Sequence, residues 1–193
     1  ENYSKTIDSD EYFDSISSVM YYMDEPLADP SCIALYFVDQ VSSEQIKVVL
    51  SGECADEIFG GYPWFHHKEM LEQNSFPWSY DLSARTFLFK DDFINELNID
   101  EYVATAYQNS VNECEFLEEE NETETLRRKV TWLNIKWFMM TLLNRMDRCS
   151  MYSGLEARVP FADYRILEYV FNVPWEYKCY KNQPKSLLVE CGK

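Results

Sequence analysis

Apolar positions along the first fifty residues change period twice. Tyr12, Phe13, Ile16, Val19, Met20 and Met23 recur at helical spacing, which predicts a helix over Asp10–Met23 with Ser9 or Asp10 as its cap. Pro26 ends that helix and Leu27–Pro30 reads as a loop. Ser31 then caps a second, apolar-rich helix over Cys32–Val41. The period vanishes at Ile46–Leu50 (IKVVL), a short run of branched aliphatic residues broken only by Lys47. Such a run predicts a strand buried on both faces, the habit of parallel sheets. Helix followed by buried strand is a fragment of an α/β layer.

Past Tyr62 the pattern turns irregular. Trp64, Phe65, Phe76, Trp78 and Tyr80 crowd a stretch with two prolines, which reads as short helices and loops covering an apolar surface. Helices are predicted at Asp91–Leu97 and Asp100–Cys114. Glu113–Glu124 holds seven glutamates and reads as solvated surface. From Thr125 to about Asp147, Leu126, Val130, Leu133, Trp137 and Met140 recur at three- to four-residue steps, with Trp132, Phe138, Leu142 and Leu143 widening the arc. A helix apolar over so much of its circumference is buried in a helical layer. Arg145, Asp147 and Arg148 sit at its predicted C-terminal end, where arginine complements the helix dipole. Gly154 stops this helix, Val159-Pro160-Phe161 runs extended, and Asp163 can cap Tyr164–Asn172. Pro184 opens a short helix over Lys185–Glu190.

The chemistry concentrates where the predicted strand ends, in Ser51–Tyr62 (SGECADEIFGGY). Gly52 permits a tight turn or the close approach of a ligand to the backbone. Glu53, Asp56 and Glu57 follow, and Gly60-Gly61 breaks the helix they begin. Ligands of open α/β sheets bind beyond the carboxyl ends of strands. Ser, Gly and Asp at such a turn also serve as plain turn and cap residues. Three carboxylates within five residues repel unless a cation is near, and Mg²⁺ shared with nucleotide phosphates is the usual client of one or two carboxylates. Lys185 is a second candidate. A cation at a helix N-terminus opposes the dipole, which points to another task, although a surface lysine is the plain alternative.

Composition narrows the field. The chain has 193 residues, enough for a single domain with a real core, 46% of them hydrophobic. Its formal net charge of −17 disfavours nucleic acid and anionic membranes as partners, so a nucleotide-binding enzyme of this kind must gather its few cations around the phosphates. Apolar runs such as Trp137–Leu143, broken by Thr141, are too short to span a membrane, and no signal peptide is evident. The chain lacks an initiator Met and reads as processed or excised from a longer one. Six cysteines, at 32, 54, 114, 149, 179 and 191, include no CxxC pair; they read as thiols of a cytoplasmic protein. Asn2-Tyr3-Ser4 and Asn121-Glu122-Thr123 match the glycosylation pattern by chance in that setting. His66 and His67 are adjacent and so point apart, which argues against a shared metal.

Four ordered segments together resemble the C-terminal synthetase domain of glutamine-hydrolysing asparagine synthetases. Asp24–Ala34 (DEPLADPSCIA) is similar to that family's DEPxADPSAI, Ser51–Tyr62 to SGEGADELFGGY, Arg145–Asp163 (RMDRCSMYSGLEARVPFAD) to RxDRxSMxxxLExRVPFLD, and Pro184–Glu190 (PKSLLVE) to PKxLLRE. The resemblance implies an ATP-pyrophosphatase domain of the adenine-nucleotide-alpha-hydrolase type, α/β but predominantly helical here, with few parallel strands and a C-terminal helical layer. It implies ATP and Mg²⁺ as cofactors, with aspartate and ammonia from glutamine as substrates. By the same resemblance Ser51 and Gly52 contact ATP, Asp56 helps hold Mg²⁺ and pyrophosphate, and Glu53 and Lys185 are catalytic. Arg158 reads equally as a phosphate ligand or as half of a buried ion pair with Glu156 or Asp163.

Departures from the family pattern sharpen the expectations. Cys54 stands where the family has Gly, so either the backbone is regular there or the loop is reshaped. Val189 replaces an Arg. The family's SGGxDS pyrophosphate loop and its N-terminal Cys glutaminase domain are absent from these residues, so the chain reads as the C-terminal part of a synthetase domain. On its own it is expected to bind ATP weakly and form no asparagine. Two other readings stay open: a related amidotransferase or β-lactam-synthetase-like enzyme with another carboxylate substrate, and a non-catalytic interaction module. Oligomeric state is open too, with a homodimer among the options.

Overall fold

The structure, a computed structural model, describes residues 3–24, 29 and 31–193. Pro26 and most of the Leu27–Pro30 loop, with Asn2, lie outside the described residues. In chain order the helices are α1 (Ser9–Met23), α2 (Ser31–Ser43), α3 (Ala55–Phe59), α4 (Lys68–Leu71), α5 (Ser83–Thr86), α6 (Asp91–Leu97), α7 (Ile99–Asn112), α8 (Glu122–Leu133), α9 (Met139–Tyr152), α10 (Tyr164–Phe171), α11 (Trp175–Lys178) and α12 (Ser186–Cys191). Two strands, β1 (Val48–Leu50) and β2 (Glu156–Arg158), pair in parallel with Val49 opposite Ala157. The predominantly helical α/β architecture with few strands is therefore as expected. Among the described residues no helix is long and apolar enough to cross a membrane. None of the six cysteines is in a disulfide.

Two compact units emerge, Glu1–Cys54 with Met140–Tyr164, and Ala55–Met139 with Arg165–Lys193. In the first, α1 packs on α2, and Val19, Met23, Cys32, Ile33, Phe37 and Cys149 form the core. Tyr22 stacks on Tyr152 with ring centroids 4.5 Å apart. The cap of α1 lies one residue earlier than predicted. Asp8 Oδ1 accepts from the Glu11 amide at 2.8 Å while Glu11 accepts from the Asp8 amide, a reciprocal box that outcompetes Ser9 or Asp10. At the start of α2 Asp29, not Ser31, does the capping work: its Oδ1 accepts from the Ser31 amide at 2.9 Å.

β1 departs from expectation. It covers three residues rather than five and is not buried: Val48 is 40% and Leu50 71% exposed. Apolar composition records what a strand can bury, and here one partner strand is all that the described residues supply. The predicted extended run at Val159–Phe161 is also corrected, because Pro160–Ala162 forms a 3₁₀ turn. Proline's fixed φ suits a first helical position, and only Val159 before it stays non-helical.

In the second unit, the helix expected from Thr125 begins three residues earlier, capped by Asn121, whose Oδ1 accepts from the Glu124 amide at 3.0 Å. Glu122 and Glu124 thus form a first turn that suits the dipole. The helical backbone passes through a π segment, Asn134–Phe138, before α9. α3 packs against that π segment. Phe65, Leu71 and Val130 form one core cluster and Phe76, Tyr107 and Leu133 another. The indoles of Trp132 and Trp137 both donate to Ser110, to its carbonyl and its hydroxyl, each at 2.8 Å.

One buried charge makes the first unit's stability depend on pH. Asp39 on α2 is 3% exposed, its Oδ2 has no hydrogen bond among the described residues, and burial pushes its carboxyl up to about 6. A folded pKa above the unfolded value of 3.8 adds stability below pH 3.8, which is lost as pH rises through 6. Asp39→Asn is expected to stabilise the protein by about 2–3 kcal/mol at pH 7.5, with the advantage vanishing near pH 4. Thermal melts of both proteins across that range check it.

Candidate functional site

The tip of β1 leads directly into the acid-bearing loop. The Ser51 amide donates to the Arg158 carbonyl at 2.9 Å, which continues the parallel ladder one residue past the strand. The Ser51 hydroxyl accepts from the Glu53 amide at 3.2 Å, so it closes the turn locally. A Cβ added at Gly52 would meet nothing within 4 Å. Glycine there serves no packing need and leaves one side of the backbone open. Cys54 is not regular in its backbone. It holds a left-handed backbone, φ +73°, and is buried. The conformation is one that glycine adopts freely and that costs other residues about 1–2 kcal/mol.

Glu53 is held by Arg145, which donates from Nη2 to Glu53 Oε1 at 2.7 Å. The same guanidinium binds Asp29 Oδ2 and the Ser31 hydroxyl, the latter at 2.5 Å. Burial works against the Arg145 charge, but the Glu53 and Asp29 carboxylates outweigh it and hold the guanidinium more firmly protonated. Burial likewise pushes Asp29 up, but hydrogen bonds from the Ser31 hydroxyl and amide and from Arg145 prevail, keeping its carboxyl below the usual range. Arg145 therefore does more than complement a dipole. Because α9 runs on to Tyr152, Arg145 sits within the helix rather than at its end. Sequence reading missed this role; the signal available was its place in the motif that opens at Arg145. Arg148, one turn on, pairs with Asp24.

In the second unit, Asp56 lies in the first turn of α3 and pairs with Lys185, Nζ to Oδ1, at 2.8 Å. Each side chain is a little over one-third exposed. Lys185 is not inside the helix it was predicted to start. It is the N-cap of α12, with left-handed φ +55° and ψ +29°. Lys181 and Asn182 are left-handed as well, at φ +51° and +61°. The buried Ser186 hydroxyl fixes this strained segment by accepting from the Tyr180 amide at 2.6 Å and donating to the Tyr177 carbonyl at 2.8 Å.

Glu57, the third acid of the loop, is 1% exposed and accepts from the Tyr62 hydroxyl, so it faces the interior rather than a shared cation. Among the described residues no group of three or more His, Cys, Asp and Glu side chains is arranged to hold a metal. His66 is a structural residue: Nε2 hydrogen-bonds the Gly60 carbonyl at 2.8 Å, and its ring lies against Trp175. Arg158 pairs with Glu156 at 2.9 Å, but both side chains are more than half exposed, so the pair is not buried.

The first unit carries Ser-Gly-Glu beyond a parallel strand, the second an aspartate engaged by a distant lysine, and the chain as a whole is a predominantly helical α/β domain. The asparagine synthase family model matches residues 1–193, and the chain belongs to that family. It is 42% identical over 176 residues to asparagine synthetase [glutamine-hydrolyzing] 3 of Bacillus subtilis, covering 91% of this chain and 28% of that protein. Asparagine synthetase [glutamine-hydrolyzing] 1 of the same organism is 27% identical over 97% of this chain and 34% of its own length. A probable asparagine synthetase of Schizosaccharomyces pombe is 24% identical over 97% of this chain and 25% of its own length. The chain thus spans between a quarter and about a third of these relatives.

The Asp56–Lys185 geometry rests on Gly61. A Cβ there would lie 1.7 Å from Asp56 Oδ1 and must displace the carboxylate. Gly61→Ala is expected to remove the coupling between Asp56 and Lys185, about 0.2–1 kcal/mol for so exposed a pair. A double-mutant cycle on Asp56 and Lys185, run in the native and the Gly61→Ala backgrounds, measures it.

Proposed function

We propose that the protein containing this chain activates the β-carboxylate of aspartate with ATP and transfers ammonia from glutamine to it, giving asparagine, AMP and pyrophosphate. The carrying observation is the 2.8 Å pairing of Asp56 with Lys185 across 129 residues of sequence (185 − 56). A lysine carried on strained backbone and aimed at an acid in the first turn of α3 suits a charge cluster built for a polyphosphate.

Attack of a carboxylate on the α-phosphorus brings two anions together, and fixed positive charge lowers the barrier. Lys185 supplies such charge. Asp56 fits a Mg²⁺ shared with the phosphates: one partly exposed carboxylate is what that ion takes from protein when phosphate oxygens fill most of its sphere. Bound there, the metal would neutralise phosphate charge. Ser51 and the open flank of Gly52 suit contact with the nucleotide. Glu53 offers the second half of the chemistry. Arg145 fixes one of its oxygens, and the other carries no hydrogen bond among the described residues, so it can take the proton that ammonia sheds as it adds. Thiols outside any disulfide suit a cytoplasmic enzyme.

In the full-length protein, Lys185→Met is expected to lower aspartate-dependent pyrophosphate release by about 10²–10³-fold. Glu53→Gln is expected to lower asparagine formation by about 10²–10⁴-fold. The 193 residues alone are expected to make no asparagine. Native rates in both variants would favour a non-catalytic module, and pyrophosphate release with a carboxylate other than aspartate would move the substrate assignment.

A further inference from the structure

Two segments of the second unit carry the Asp56–Lys185 pair, and a thiol–imidazole contact also joins them. The first segment is tied at its turn: the Gly61 amide donates to the Asp56 carbonyl at 3.0 Å, and His66 Nε2 lies 2.8 Å from the Gly60 carbonyl. The second is tied through Ser186, next to Lys185, whose hydroxyl holds the Tyr180 amide and the Tyr177 carbonyl. Cys179 stands between those two tyrosines, and its Sγ lies 3.9 Å from His66 Nδ1.

A carbonyl only accepts, so His66 Nε2 carries the proton that bonds Gly60, and in the neutral ring Nδ1 keeps its lone pair for the thiol. Nucleophile, base and a group that orients the base are thereby assembled, the arrangement that activates a weak nucleophile. The thiol needs such help, because burial pushes it up even though the Arg127 charge works against that. Cys32, Cys54, Cys114 and Cys149 are buried and Cys191 is exposed, while Cys179 is partly exposed and within reach of a small electrophile. The chain's formal charge of −17 favours an electrophile without anionic groups. A thiol so largely covered takes on a substituent only by moving the His66 ring or the Tyr180–Asn182 turn, and each of these leads to one partner of the Asp56–Lys185 pair.

We propose that Cys179 is a thiol–disulfide exchange site for a small uncharged disulfide, with His66 as its base, and that the mixed disulfide loosens the Asp56–Lys185 pair. The thiol gives its proton to His66 Nδ1 as Sγ attacks one sulfur of the disulfide. The disulfide's S–S bond breaks, one sulfur joins Cys179, and the other leaves with the electron pair and takes the proton from His66. A thiol in excess reverses the exchange.

The test treats the full-length protein with 2-hydroxyethyl disulfide and follows each cysteine by mass spectrometry. Cys179 is expected to react about tenfold or more faster than buried Cys114. His66→Gln, which keeps an N–H for the Gly60 carbonyl, is expected to slow Cys179 about tenfold and leave Cys191 unchanged. Acetylation of Lys185 by an N-hydroxysuccinimide ester is expected to rise about twofold to fivefold once Cys179 is blocked, as the amine loses its carboxylate. Cys179→Ser is expected to keep the native Lys185 acetylation rate in the presence of the disulfide. Cys179 no faster than Cys114, a Cys179 rate untouched by His66→Gln, or Lys185 acetylation that ignores the blocked thiol or rises equally in Cys179→Ser would each overturn the proposal. The consequence for catalysis rests on the synthetase reading: with ammonium chloride in place of glutamine, the blocked protein is expected to lose about tenfold in pyrophosphate release, and dithiothreitol to restore it. Native release in Lys185→Met would sink that reading, while the exchange site is judged on the cysteine and Lys185 rates.

Discussion

With 34 acidic and 17 basic side chains, this chain has too few cations to neutralise its carboxylates, so where each cation goes decides much of the structure. The guanidinium of Arg145 is the case on which the first unit turns. It joins Asp29 and Ser31 at the head of α2 to Glu53 beyond β1, from its place on α9. A planar fork with several donors can do this; a lysine, with one compact charge, cannot reach three acceptors in fixed directions. Without it two partly buried carboxylates would face each other unpaired, a cost large enough to move the loop that carries Glu53. Even here satisfaction is incomplete, since Arg145 Nε is buried without a hydrogen-bond partner among the described residues.

Backbone strain marks the same neighbourhoods. Cys54 follows Glu53 in a left-handed conformation, and Lys185 adopts one as it presents its amine to Asp56. Left-handed non-glycine residues persist only where their surroundings over-determine them. Around Cys54 the determinants are the sheet anchor at Ser51 and the burial of the cysteine itself. Around Lys185 they are the Ser186 hydroxyl and its two backbone partners. Cys54 adopts at some cost a conformation that glycine would adopt freely.

Helix positions were legible because a 3.6-residue period survives in the order of residues alone: α1, α6, α7 and α10 fall within two residues of their predicted bounds. Ends were less legible. Asp8 with Glu11 and Asp29 with Ser31 show why, since a cap is chosen by which side chain reaches which amide. The π segment at Asn134–Phe138 left no mark in the apolar pattern, which continues through it. The acidic block is solvated as expected at Glu113, Glu115, Glu118, Glu119 and Glu122, which are exposed. Glu120 is the departure, since its side chain is 15% exposed and meets Arg128 in space.

The amino-acid order by itself determined the motif segments, the family they belong to, and the candidate acids and lysine, because spacing within a loop and residue type are properties of the chain. Tertiary structure alone decided which charges meet. Glu53 with Arg145 and Asp56 with Lys185 depend on how segments far apart in sequence come to lie side by side. Electrostatic pairing falls off within a few ångströms and is set by burial, and neither distance nor burial is written in a sequence.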